Sequence, residues 1–298
     1  MSRPLRLGTR SSRLALVQAQ IVADALGGAE VVALRSVDPG IEDKSRWVRG
    51  VERALLDQQV DLGVHSAKDV PGELPPGLSL VGVPERVDPS DAFVGPAGSL
   101  AEIAQGARVG TASLRRRSQL LALRPDLEIA ECRGNVDTRL AKLEAGDFDG
   151  IVLASAGLQR LGREHEIAFR FELEQMTPAP GQGCLALEGR AEDAESAAAA
   201  GRISDRAGLT ELTAERAVVR ALDASCETPI GVCARLEGEQ LSLIGYAGLP
   251  DGSEWVRDRV VGAPEQPAAL GDALAERMLA AGAGEILARA AQELGAGA

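Results

Sequence analysis

The sequence predicts an α/β protein with two sheet-containing units and a small α+β domain at the carboxyl end. Short apolar strands alternate with helix-like segments over residues 5–82, a pattern typical of parallel sheets covered by helices. The same alternation returns over residues 108–160. From about residue 206 a helix precedes segments with the alternation and turns of antiparallel strands. A chain of 298 residues is long enough for two or three such domains.

The first unit is predicted to begin with a strand and a capped helix. Residues 5–9 form the strand, and Ser11 or Ser12 caps a helix with apolar residues at helical spacing. This turn directs Arg10 and free helix amides towards the carboxyl edge of the sheet, where an anion can bind; an ordinary serine cap is the alternative. The elements that follow are strands at 31–35, 60–64 and 78–84, a helix near 47–58 and an exposed loop at 36–46.

The strand at 60–64 leads into a turn that carries ionisable side chains. His65, Lys68 and Asp69 follow it within five residues, and Lys68 is one of three lysines in the chain. Because open α/β sheets bind ligands at the carboxyl ends of their strands, a cation beside a carboxylate here indicates a site. The alternatives are a solvated Lys-Asp pair and a buried, hydrogen-bonded imidazole at His65.

The second unit is predicted to repeat this arrangement after a Pro-rich crossover at 84–100. Each of its strands runs into a turn and a capped helix; the strands are 108–110, 127–132 and 150–154, and the caps are Thr111 or Ser113 and then Asn135. Arginines follow all three strands: Arg115, Arg116, Arg117, Arg133, Arg139 and Arg160. A cation at the beginning of a helix opposes the helix dipole, so these positions indicate a carboxylate ligand rather than a gain in stability. A solvated charged face is the alternative.

A Pro/Gly-rich linker at 176–188 is predicted to carry the chain back into the first unit. Such a double crossing predicts a hinged clamp with a cleft between two strand-end rims. The predicted domains are domain 1 at 1–86 with 184–203, domain 2 at 87–183 and domain 3 at 204–298.

Composition excludes several classes of partner. A net charge of -12 argues against nucleic acid or an anionic membrane, and no segment reaches the length of a membrane span. The amino terminus lacks the apolar stretch of a signal peptide, so a cytoplasmic location is expected. Four cysteines without CxxC spacing and only two histidines predict no metal site.

Seven segments spread over all three predicted domains resemble the porphobilinogen deaminase family. In chain order they are VHSAKDVP, VGTASLRR, RGNVDTRLAKLEAG, LASAGLQRLG, PAPGQG, TAERA and CETPIG. The resemblance implies two periplasmic-binding-protein-like, or transferrin-like, domains and a third domain that carries a cysteine. It also implies a monomeric transferase, hydroxymethylbilane synthase, that joins four porphobilinogen molecules head to tail, releases ammonia each time and yields the linear tetrapyrrole hydroxymethylbilane for haem biosynthesis.

The resemblance further implies a role for each matching residue. Asp69 is the catalytic aspartate, and Cys226 binds a dipyrromethane cofactor through a thioether. The cofactor is held by Lys68, Asp69, Thr111, Ser113, Arg115, Arg116 and Arg133, and the substrate by Arg10, Ser12, Arg133, Arg139 and Arg160. Arg117 lies outside the shared pattern and is expected at the surface, and the other cysteines are expected to be buried: Cys132, Cys184 and Cys233. The chain departs from the family in a shorter loop at 37–46 and in Ala224-Ser225, where Gly-Gly is common.

The implied chemistry agrees with these residue types. Loss of ammonia from an aminomethyl pyrrole leaves a cationic azafulvene, which a carboxylate about 4 Å away stabilises by roughly 4 kcal/mol at an effective dielectric of 20. Each pyrrole ring also brings an acetate and a propionate, which arginines bind. The alternative function is a non-catalytic binding module for a polycarboxylate small molecule. Asp69 beside Lys68, together with a reactive cysteine, favours the enzyme.

Overall fold

The computed structural model of the chain describes residues 3–34, 45–225 and 228–296. The strands are β1 (Arg6–Arg10), β2 (Glu30–Leu34), β3 (Leu62–Ser66), β4 (Leu78–Gly82), β5 (Asp91–Val94), β6 (Arg108–Gly110), β7 (Glu128–Ala130), β8 (Gly150–Ala154), β9 (Phe169–Arg170), β10 (Leu185–Arg190), β11 (Ile230–Glu237), β12 (Gln240–Gly248) and β13 (Trp255–Gly262). The helices are α1 (Arg13–Ala25), α2 (Ser45–Leu56), α3 (Leu114–Leu123), α4 (Val136–Glu144), α5 (Ser155–Arg160), α6 (Ala194–Arg202), α7 (Arg206–Ala221), α8 (Pro267–Ala280) and α9 (Ala283–Ala296).

The chain forms two compact units, and the first contains Met1–Val87 and Gly183–Thr210. Its sheet has the order β2-β1-β3-β10-β4. β1 is parallel to β2 and β3, whereas β10 runs antiparallel between β3 and β4. The prediction of a wholly parallel sheet was therefore wrong. β10 is reached after the chain has passed through the second unit, so no short helical crossover fixes its direction.

Local sequence explains how β1 and α1 present the edge of this sheet. Ser12 caps α1, because its side chain accepts a hydrogen bond from the Ala15 amide at 3.4 Å. The buried face of α1, including Val22, packs with Leu7 and Leu62 in one core cluster. Burial of this face fixes the helix on the sheet, so Arg10 and Ser12 lie at the carboxyl end of β1.

The second unit contains Asp88–Gln182 and Glu211–Ala298. Its first sheet has the order β7-β6-β8-β5-β9, in which β6 is parallel to β7 and β8, and β5 is antiparallel to β8. β5 lies inside the segment predicted as a crossover loop, and that prediction was wrong at these four residues. All four are buried, so tertiary pairing with β8 overrides the turn-forming residues around them.

The remaining strands, β11, β12 and β13, form a separate antiparallel sheet with α8 and α9 packed against it. The turn at Glu237-Gly238 joins β11 to β12, and Gly238 has the positive φ of 63° that such a turn requires. The predicted α/β class with a carboxyl-terminal α+β part is thus confirmed. This sheet contacts α3 through a hydrogen bond of 2.7 Å between Ser118 Oγ and Tyr246 Oη, and the three-domain division stays a prediction.

No helix in the described part of the chain is both long and apolar enough to cross a membrane.

A buried carboxylate, Asp61, binds two arginines at the edge of the first sheet where β1 and β3 begin, opposite the carboxyl edge. Asp61 accepts hydrogen bonds from the guanidinium groups of Arg3 and Arg6 at 2.8–3.2 Å and from the Arg6 amide at 2.9 Å. Burial alone raises the pKa of Asp61, but these hydrogen bonds outweigh it and hold the pKa well below its ordinary value of 3.8.

We expect Asp61→Asn to lower the free energy of unfolding at pH 7 by about 2 kcal/mol, because the amide loses the charge-assisted hydrogen bonds from Arg3 and Arg6. The folded-state pKa is depressed, so this stabilisation is present above pH 3.8 and is lost as the pH falls below it. Urea unfolding of both proteins at pH 7 and at successively lower pH measures the difference. Equal midpoints at pH 7 would remove this network from the account of stability.

Candidate active site

The carboxyl edge of the first sheet brings together four of the predicted residues. Arg10 is the last residue of β1 and Ser12 follows it, and Lys68 and Asp69 follow the neighbouring strand β3. Asp69 ends a single 3-10 turn in which the Val70 amide bonds to the Ala67 carbonyl at 3.1 Å. Arg10 Nη1 lies 3.9 Å from Asp69 Oδ2, and both side chains are about one-third exposed, at 36% and 33%. A loose, solvent-accessible pair of this kind contributes little stability and leaves both groups able to contact a ligand.

Three contacts fix the end of β3 from which Asp69 projects. His65 is buried, with Nε2 3.0 Å from Glu188 Oε2 on β10. Ser66 bonds to the amide of Gln18 on α1 at 3.0 Å, and the Ala67 amide donates to the Cys184 carbonyl at 3.1 Å. Of the two interpretations of His65, the structure supports the buried, hydrogen-bonded imidazole.

The carboxyl edge of the second unit's first sheet carries the other group of polar residues. Thr111 follows β6 and is buried; its hydroxyl accepts from the Ser113 amide at 3.2 Å, and Ser113 caps α3. Arg133 follows β7, is 67% exposed and bonds to Glu131 at 2.8 Å. The other two arginines of this edge are Arg139 on α4, with Nε 2.8 Å from the Gly134 carbonyl, and Arg160, the last residue of α5.

The electrostatics of this edge favour an anion. Burial lowers the pKa of Arg139, and the positive charges of Arg116 and Arg133 lower it further. A bound carboxylate offsets the repulsion between neighbouring guanidinium groups, so its binding is electrostatically favourable. Arg117 is exposed, as expected.

Arg115 and Arg116 have an internal partner that sequence reasoning missed. Both are buried and bind the carboxylate of Asp91 on β5, each with a contact of 2.7 Å. Arg115 also donates to the Thr177 carbonyl at 2.7 Å, and Arg116 to the Val152 carbonyl at 2.9 Å. Burial alone raises the pKa of Asp91, but the two arginines outweigh it and hold the pKa well below its ordinary value. Their assignment to the cofactor stays a prediction.

Cys226 lies outside the described residues; two hydrogen bonds join Ser225 and Thr228, which are described. The Ser225 amide donates to Thr228 Oγ1 at 2.9 Å, and the Thr228 amide donates to the Ser225 carbonyl at 3.1 Å. The other three cysteines are buried, as expected: Cys132, Cys184 and Cys233. Burial raises the pKa of Cys132, which keeps that thiol neutral.

Two solved structures of periplasmic proteins are similar to part of this chain at low TM-score and low sequence identity. An arginine-specific periplasmic binding protein of Salmonella typhimurium has a TM-score of 0.40 and 13% identity, covering 70% of this chain and 94% of its own. The periplasmic VFT2 domain of Bordetella pertussis BvgS has a TM-score of 0.39 and 14% identity, covering 65% and 84%.

Sequence relatives match almost the whole chain. The family model described as "Porphobilinogen deaminase, dipyromethane cofactor binding domain" matches residues 5–198, and "Porphobilinogen deaminase, C-terminal domain" matches residues 209–280. The porphobilinogen deaminase of Roseiflexus castenholzii is 45% identical over 97% of this chain and 100% of its own length, and that of Brevibacillus brevis is 41% identical over 97% and 98%. The resemblance predicted from the motifs is confirmed: the chain belongs to the porphobilinogen deaminase family.

Proposed function

We propose that Asp69 is the catalytic group with which this chain joins four porphobilinogen molecules head to tail into hydroxymethylbilane. As a member of its family the chain is a hydroxymethylbilane synthase, a transferase of tetrapyrrole biosynthesis. The observation that supports the role of Asp69 is its one-third exposed carboxylate at a strand end, with a guanidinium 3.9 Å away. A carboxylate so placed can be reached by substrate and is held at the carboxyl edge of the sheet.

Asp69 acts on the charge that forms when ammonia leaves. The aminomethyl group of the substrate departs as ammonia, and the remaining pyrrole methylene carries a positive charge. A carboxylate about 4 Å away stabilises that charge by roughly 4 kcal/mol at an effective dielectric of 20. Asp69 also accepts a hydrogen bond from the pyrrole N–H. Its protonated form, or a bound water, donates a proton to the leaving amine.

The basic residues bind the carboxylates of the pyrrole rings. Each ring carries an acetate and a propionate, so every added unit brings two negative charges. We assign substrate binding to Arg10, Ser12, Arg133, Arg139 and Arg160. The mutual repulsion that lowers the pKa of Arg139 is relieved when carboxylates bind beside it.

The same chemistry fits the dipyrromethane cofactor of the family. Its pyrrole carboxylates match a donor set of guanidinium, ammonium and hydroxyl groups, and when bound it supplies the pyrrole carbon to which the first substrate unit is joined. The residues that would hold it are Lys68, Asp69, Thr111, Ser113, Arg115, Arg116 and Arg133, with Cys226 as the covalent anchor. Arg115 and Arg116 would then serve both Asp91 and the cofactor.

We further propose that the enzyme works in the cytoplasm as a monomer and binds no nucleic acid. The net charge of -12 opposes a nucleic-acid partner, and the lack of CxxC spacing and of a signal peptide agrees with a reducing compartment.

Arg139→Gln is expected to raise the KM for porphobilinogen about 10- to 100-fold. A charge-assisted hydrogen bond contributes about 1.5–3 kcal/mol, and each 1.4 kcal/mol is a factor of ten. Initial rates over a range of substrate concentrations measure the change. Arg117→Gln, which removes an exposed arginine of the same unit, serves as the control with an unchanged KM. An unchanged KM in Arg139→Gln would take that residue out of the binding set.

Incubation of the purified protein with porphobilinogen tests the proposed function. We expect four molecules of ammonia for each linear tetrapyrrole released. Binding of porphobilinogen without release of ammonia would instead support the non-catalytic binding module.

A further inference from the structure

We infer that His65 is a positioning residue: with Glu188 it holds the carboxyl end of β3 in the conformation that presents Asp69. The inference rests on the proposed catalytic role of Asp69. Neither His65 nor Glu188 belongs to the residues assigned to substrate or cofactor. Both side chains are buried, at 4% and 0% exposure, and Nε2 of the imidazole lies 3.0 Å from Oε2 of the carboxylate.

A glycine on β3, Gly63, leaves space for the imidazole of His65. β3 and β10 are antiparallel, and Glu188 lies opposite Gly63 rather than opposite His65. The imidazole therefore reaches diagonally across Gly63 to its partner. A Cβ atom on Gly63 would lie 2.9 Å from His65 Nε2 and 2.7 Å from Val51 Cγ1, distances that real Cβ atoms do not tolerate. A glycine at this position is a requirement of the His65–Glu188 contact.

The His65–Glu188 contact fills this buried space at a cost to the stability of the folded state. Glu188 Oε1 is buried and has no hydrogen-bond partner among the residues that the structure describes, and an unsatisfied buried oxygen destabilises the folded state. Glu52 on α2 is buried close by; burial raises its pKa, and the charge of Glu188 raises it further. Apolar side chains of similar size usually fill such a site with equal or greater stability. Stability therefore does not account for the pair.

Position along the chain indicates what the pair does instead. Asp69 is four residues after His65, and the intervening residues are held by Gln18 and by the Cys184 carbonyl. Among the described residues, Asp69 makes a loose contact of 3.9 Å with Arg10. The orientation of the Asp69 carboxylate therefore depends on the position of the backbone at the end of β3. A displacement of well under 1 Å at a catalytic carboxylate is enough to lower the rate of the chemical step.

The test separates stability from turnover. In the double variant His65→Leu/Glu188→Leu we expect a melting temperature at or above that of the wild type, a kcat lowered at least tenfold and a KM changed less than twofold. The isosteric Glu188→Gln, which keeps an oxygen for His65 Nε2, is expected to retain more kcat than the double variant. Intact-mass spectra of all proteins show whether each carries the same adduct, so that loss of turnover is not loss of cofactor.

Two matched variants complete the experiment. Asp61→Asn changes a buried ion pair at the opposite edge of the same sheet; it is expected to lower the melting temperature without changing kcat. Asp69→Asn tests the proposed function itself. If Asp69→Asn is inactive while the double variant keeps full kcat, the positioning role of His65 is refuted and the role of Asp69 stands. If Asp69→Asn is active, the catalytic proposal fails. Should the double variant not fold, the single variant Glu188→Leu, which removes the oxygen that contacts His65 Nε2, takes its place, and unchanged kcat and KM in that variant refute the inference.

Discussion

Asp69→Asn is expected to fold like the wild type and to produce hydroxymethylbilane about a thousandfold more slowly. The amide keeps the size and shape of the carboxylate but carries no charge. Loss of the roughly 4 kcal/mol with which a carboxylate stabilises the cationic pyrrole corresponds to about three powers of ten in rate. The side chain is one-third exposed and its contact with Arg10 is loose, so the melting temperature should hardly change. Steady-state rates of tetrapyrrole formation measure the effect.

A second carboxylate provides a matched control. Asp57 also lies in the first unit, is half exposed, and has Oδ2 3.8 Å from Arg53 Nε. Asp57→Asn likewise removes one negative charge from an exposed ion pair, but this pair does not include a residue of the carboxyl edge of the sheet. We expect its turnover to equal that of the wild type. Near-normal turnover in Asp69→Asn would remove that residue from the mechanism.

Much of the site was predictable because its signals are local. A strand followed by a Ser or Asn cap and a helix depends on neighbouring residues only, and Ser12, Ser113 and Asn135 are all caps in the structure. Parallel strands then place their carboxyl ends at one edge. The arginines and Asp69 follow such strands, so their grouping within each sheet follows from the chain order.

Strand direction and buried charge partners were not predictable in this way. β10 and β5 run antiparallel to their neighbours because of where the chain re-enters each sheet, which no local pattern encodes. Asp91 is 24 residues from Arg115, and Glu188 is 123 residues from His65. For both Asp91 and Glu188, the sequence shows a single carboxylate in an otherwise apolar strand, which indicates a buried charge that needs a partner. The sequence does not identify the partner, because only the fold brings the two groups together.

Cys226→Ser is expected to abolish turnover. A thioether forms when a thiolate attacks an electrophilic methylene, and a serine hydroxyl is a far weaker nucleophile at neutral pH. Without the anchor, the first substrate unit has no covalently held pyrrole to join. Cys233→Ala is the matched control, since Cys233 is a buried thiol on β11 of the same sheet domain. That variant should keep its activity.

We propose that Cys226 tethers the growing polycarboxylate chain, that arginines bind its carboxylates and that Asp69 is the catalytic group. Intact-mass spectrometry of the purified protein tests it most directly. We predict that wild type, Asp69→Asn and Cys233→Ala each carry the mass of one dipyrrole adduct, and that Cys226→Ser has the mass of the polypeptide alone. An active wild-type protein with an unmodified mass, or an adduct that persists in Cys226→Ser, would contradict it.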